Sequence, residues 1–189
     1  MTDLDGRIAQ GWGGTAPEGV HVNVVLADRG SATAASLLGA YTAPRQGFTP
    51  ILASVGPDQP SYETVWPPVL LLNKTAPADD RAAGLVSGAA QLGAAQGALD
   101  AAADGIVPAT PDVLVFVSLW IDERATDETA VRRATRQAVG AAVREAAVGR
   151  EPAVTERLVA ERDRLQNPFY RGDDDADRTT TRRRGSTRP

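Results

Sequence analysis

The chain of 189 residues contains no cysteine and one histidine, which excludes disulfides, thiolate metal sites, cysteine nucleophiles and multi-histidine metal sites. A net charge of −4 disfavours nucleic acid as a partner, and no apolar run approaches the roughly 20 residues that span a bilayer. Hydrophobic residues at 42% with aromatics at 5% predict one soluble, cytoplasmic domain cored by aliphatic side chains and alanine.

Residues 1 to about 18 are glycine-rich and polar around a short strand-like piece. Gly11-Trp12-Gly13-Gly14 has the look of a phosphate loop but lacks the lysine and helix that such a loop requires. Residues 19–28 alternate as a strand, with Val20, Val22, Val24 and Leu26 on one face and His21, Asn23 and Val25 on the other. Residues 30–41 form a short helix that Ser31 or Thr33 can cap. A second strand covers 50–55, a proline-rich loop with Tyr62 and Trp66 covers 57–68, and the strand 69–73 delivers Lys74 at its end.

Residues 79–104 are helical, and helical spacing puts Gln91 on one face with Gly84, Gly88 and Ala95. Each interior glycine costs a helix about 1 kcal/mol relative to alanine. Glycines 84, 88, 93 and 97 therefore predict a close approach by another element or a flat ligand. Residues 112–122 are a fourth strand. The amphipathic helix 125–148 turns Val131, Ala134, Ala138, Ala141 and Val143 inward and Arg132, Arg133, Arg136 and Arg144 outward. A last, more polar helix covers 151–166. The stretch 171–189 has no aliphatic residue larger than alanine and is expected to be a disordered charged tail, leaving one domain over 1–170.

Strands and helices mix without strict alternation, which predicts an α+β fold. The strands 69–73 and 112–122 are apolar on both faces, so a second copy of the chain is expected against the face that helices leave open. The polar residues beside these strands are His21, Asn23, Lys74 and Gln91. His21 is the only histidine and Lys74 the only lysine among 20 basic residues. Taken alone, each has a structural reading (a bonded histidine, a solvated lysine, a glutamine on a carbonyl) and a reading as part of a pocket.

The blocks HVNVVLADRGSATAA at 21–35, QGFTPILA at 46–53, LLNK at 71–74, AAQLG at 89–93 and DGIVPA at 104–109 together resemble the formaldehyde-activating enzyme family. The resemblance covers about 19–168. It implies a fold of the ribosomal protein S5 domain 2 type, assembled as a ring-like homopentamer. It also implies metal-free condensation of formaldehyde with tetrahydromethanopterin, a co-substrate rather than a resident cofactor, in formaldehyde detoxification.

By that resemblance His21 is the general acid, and Asn23, Leu52, Lys74, Ala76 and Gln91 bind the pterin. Asn23 stands where the family carries an acid, and Ala76, next to Thr75, stands where it carries threonine. A carboxylate beside histidine would raise its pKa and stabilise a cationic iminium, and asparagine does neither. Two rival readings follow: a non-catalytic pterin- or aldehyde-binding paralogue acting as carrier or sensor, and an enzyme in which Lys74 captures formaldehyde as a Schiff base.

Overall fold

The computed structural model describes residues 3–43 and 45–168, which fall into two compact units dividing after Arg150. The expected charged tail at 171–189 lies outside the described residues. In the first unit the strands are β1 (Arg7–Gly13), β2 (Val20–Asp28), β3 (Ile51–Leu52), β4 (Ser54–Val55), β5 (Glu63–Thr64), β6 (Val69–Asn73) and β7 (Val113–Ile121). Five of them make a mixed sheet in the order β1-β2-β7-β6-β3, antiparallel throughout except for the pair β6–β7, while β4 and β5 pair separately. With its helices, this is the expected α+β class. The expected strand at 50–55 is divided at buried Ala53, whose N–H donates to the Val69 carbonyl.

Valine alternation decides which face of the sheet is the core. Val20, Val22, Val24 and Leu26 of β2 meet Val115, Val117 and Leu119 of β7, with Val69 and Leu71 of β6 beside them, all buried. Three helical segments cover this face: α2 (Asp80–Leu85), α3 (Gln91–Ala103) and α4 (Glu128–Val148). Asp79 caps α2 through the Ala82 N–H, and Asp127 caps α4 through the Ala130 N–H. On α4 the buried residue is Ala142; Ala141, expected inward, is exposed. Helical spacing brings 142, not 141, onto the face of Ala138 and Val131, at intervals of four and eleven.

Glycine sets the distances between layers. A Cβ on Gly11 would lie 2.1 Å from the Ala138 carbonyl oxygen, and one on Gly13 would lie 1.9 Å from that of Ala134. The Gly-Trp-Gly segment is therefore a strand that lets the α4 backbone lie directly on it. Gly93 and Gly97 do the same on α3, where added Cβ atoms would meet the Arg132 and Arg136 carbonyl oxygens at 2.4 and 2.7 Å. A Cβ on Gly84 or Gly88 would meet nothing within 4 Å, so the close approach expected of all four holds for two.

Between α2 and α3 a π-helical turn covers Val86–Ala90, and the Gln91 N–H donates to the Val86 carbonyl. The turn carries an extra residue, so the continuous face expected for Gly84, Gly88, Gln91 and Ala95 does not form: the two glycines are exposed and Ala95 is buried.

The opposite face is covered at one end by α1 (Ala32–Thr42), capped by Ser31 through the Ala34 N–H. Ala27, Ala34, Leu70 and Phe116 are buried there, packed with Val25, Leu37, Tyr41 and Leu114. Leu70, Leu114 and Phe116 of the second apolar face of β6 and β7 are thus met by α1 of the same chain. The second unit contains α5 (Pro152–Ala160) and a 3-10 turn at Arg162–Arg164, where one continuous helix over 151–166 was expected. Arg157 pairs with Glu161 there at 3.2 Å.

Candidate active site

Beyond α1, this second face of the sheet carries polar and aromatic side chains in rows set by register. One row holds His21 between Trp12 of β1 and Trp120 of β7, and the next holds Asn23 between Gln10 and Ser118. Lys74 follows β6 directly, and its N–H donates to the Leu119 carbonyl, which brings it alongside Trp120. The two indoles stack at 6.1 Å, and Trp12 lies 6.5 Å from the imidazole.

His21 Nδ1 lies 2.6 Å from Lys74 Nζ, and Nε2 lies 2.9 Å from Gln10 Oε1. The sole histidine and the sole lysine therefore touch, across 53 residues of chain. Partial burial, and then the Lys74 charge, hold the His21 pKa below its ordinary value; burial likewise lowers that of Lys74. A neighbouring cation thus lowers the pKa that a carboxylate would have raised. Two positive charges this close disfavour each other, so the imidazole is held neutral while Lys74 is charged.

Asn73 builds the loop wall beside this pair. It is only 4% exposed, and its side chain accepts from the Thr49 N–H at 3.1 Å while donating to the carbonyls of Gly47 and Thr75 at 2.8 and 2.7 Å. The Gly47-Phe48-Thr49 turn is thereby tied to the strand end that carries Lys74. Gly47, with φ +82°, sits against Ala76, leaving no room for a Cβ.

The six residues singled out from sequence do not all converge. His21, Asn23 and Lys74 share the polar end of the uncovered face. Leu52, 42% exposed, pairs with Leu70 and so lies on the same face but toward α1. Ala76 is exposed beside the Gly47 turn. Gln91 belongs to the helical layer on the other side of the sheet, where its amide donates to the Ser54 carbonyl at 3.1 Å. It lines a cavity of about 330 Å³ together with Tyr62, Ser87, Glu128 and Arg132. Sequence reasoning passed over Gln10, Trp12, Trp120 and Asn73. Only the position of Trp12 in a Gly-Trp-Gly alternation carried a signal.

A family model described as formaldehyde-activating enzyme matches residues 11–170. A 5,6,7,8-tetrahydromethanopterin hydro-lyase of Methanosarcina barkeri is 34% identical over 159 residues, covering 82% of this chain and 85% of the relative. A bifunctional enzyme Fae/Hps of Methanothrix thermoacetophila is 25% identical over 138 residues, covering 72% of this chain and 34% of the relative. The match over most of its length makes this chain a member of the formaldehyde-activating enzyme family, a family of hydro-lyases.

Proposed function

We propose that the protein is a cytoplasmic enzyme that removes formaldehyde by condensing it with tetrahydromethanopterin to give methylene-tetrahydromethanopterin and water, with His21 as general acid. The observation that carries this reading is the contact between His21 and Lys74 on an accessible, aromatic-lined face. A pterin amine adds to formaldehyde to form a carbinolamine. The proton on His21 Nε2 passes to the departing hydroxyl group, which leaves as water. A second amine closes the ring on the iminium and returns its proton to Nε2, so the protein ends unchanged. Holding both reactants in one site supplies much of the remaining acceleration. Asn23, Leu52, Lys74, Gln91 and the segment at Ala76 position the pterin, which is a co-substrate.

The same reading includes the S5 domain 2 type of fold, supported by the mixed sheet with helices on its core face, and with it the homopentameric ring. Gln91 and His21 lie on opposite sides of that sheet, so a site using both is completed by a neighbouring copy. Sedimentation equilibrium is expected to give about five times the chain mass at micromolar concentration. A stable monomer would remove the shared site.

Asn23 supports the rival reading of a binding paralogue, because it lies one row from His21 with no charge to offer an iminium. Asn23→Asp places a carboxylate about 7 Å along the strand from His21, and it is expected to raise the condensation rate about five- to tenfold, the effect of about 1 kcal/mol. The assay follows methylene-pterin formation above the spontaneous rate, with pterin affinity measured alongside. Wild-type protein that binds the pterin without accelerating the reaction, and gains nothing from Asn23→Asp, is a binding protein.

A further inference from the structure

Both ring nitrogens of His21 have a polar partner within hydrogen-bond distance. When Lys74 is an ammonium it can only donate, so Nδ1 of His21 must accept. The neutral ring then carries its proton on Nε2, and the group facing Nε2 is Gln10 Oε1, which can only accept. We propose that Gln10 is a positioning residue that ends a Lys74-to-His21-to-Gln10 donor chain, fixing the imidazole as its Nε2–H tautomer with Lys74 as proton donor on the opposite side of the ring.

This inference rests on the condensation reading for its catalytic meaning but not for the tautomer itself. When substrate binds, the departing hydroxyl group takes the place of Gln10 Oε1 at Nε2–H; as Nε2 gives it the proton, water forms and Nδ1 takes a proton from Lys74 Nζ. The ring stays neutral with its N–H now on Nδ1, and Lys74 is left as an amine. The proton shed by the second pterin amine returns to Nε2, Nδ1 returns its own to Lys74, and the count closes. Without the relay, loss of the Nε2 proton would leave an imidazolate.

The surroundings keep this chain isolated. The neighbours of His21 on β1 and β7 are Gln10, Trp12, Ser118 and Trp120, none of them charged at neutral pH. Asp122, just beyond β7, is held by Arg124 at 2.7 Å. Tyr41 of α1 packs at the far end of the face with Leu70 and Phe116. Among the described residues, Lys74 is thus the charged group that touches the ring.

His21 is the only histidine, so imidazole-¹⁵N labelling of the full chain reports on this ring alone. The expected spectrum of the neutral ring has Nε2 protonated and Nδ1 bare. Gln10→Glu is expected to raise the His21 titration midpoint by about one pH unit or more, since a carboxylate would then face Nε2. Gln10→Leu is expected to lower kcat about tenfold while KM for the pterin holds, with thermal stability unchanged. A neutral ring protonated at Nδ1, or a midpoint that Gln10→Glu leaves unmoved, would overturn the proposal. Wild-type protein with the expected tautomer but no condensation activity would instead overturn the reading of the reaction and leave the donor chain standing.

Discussion

His21→Ala is expected to lower the rate of methylene-tetrahydromethanopterin formation above background by about 10²- to 10⁴-fold, the usual worth of a positioned general acid. The imidazole is half-buried, so its loss removes little packing, and unfolding is not expected to confound the measurement. Pterin affinity should change little, because the stacked Trp12–Trp120 pair and the Asn73-anchored turn persist without it. The wild-type rate is expected to fall at high pH as Lys74 loses its proton. Burial lowers that pKa, so the fall begins below the ordinary lysine range. Stopped-flow absorbance across pH, for both proteins, measures all of this. A His21→Ala protein as fast as wild type would make His21 structural.

Gly13→Ala is expected to destabilise the protein by about 3 kcal/mol or more, although it adds a single methyl group. That methyl would fall 1.9 Å from the Ala134 carbonyl oxygen and 2.8 Å from its carbon. Both are backbone atoms in the middle of α4, which cannot swing aside as a side chain can. Either β1 leaves the sheet edge or α4 lifts from β2. A shift in Tm of about 10 °C follows for a domain of this size. Gly84→Ala is the control with the opposite sign, because nothing lies within 4 Å of its added Cβ. It replaces glycine within helix α2 and is expected to stabilise by about 0.5–1 kcal/mol. Thermal denaturation of the two variants tests both directions at once.

The central strands were legible because their signal is hydrophobic. Val20–Asp28, Val69–Asn73 and Val113–Ile121 fall within a residue or two of where alternation and apolar runs placed them. The edge strand β1 was read only as a short strand-like piece because the positions it buries against α4 are Gly11 and Gly13, which contribute no hydrophobic pattern. With β1 went Gln10 and Trp12, the side chains it turns toward His21. The second apolar face of β6 and β7 was legible, but its partial cover by α1 was not. Periodicity cannot distinguish a helix folded back from the same chain from a second copy, and α1 is weakly patterned. The pairing of His21 with Lys74 was out of reach of spacing alone, since it depends on the parallel register of β6 against β7.

The π turn at Val86–Ala90 has a consequence for how this domain can change length. A helix advances about 100° per residue, so one surplus residue rotates everything downstream by that angle relative to everything upstream. Before the turn, Leu85 points to the core and Gly84 to solvent. After it, Gly93 and Gly97 seat α4 and Gln91 reaches Ser54. Removing the surplus residue would join α2 and α3 smoothly, but only by swinging one of those two sets out of alignment. The residue count between the Asp79 cap and Gly93 is therefore a gear ratio: the helical pair runs on a fixed tooth number.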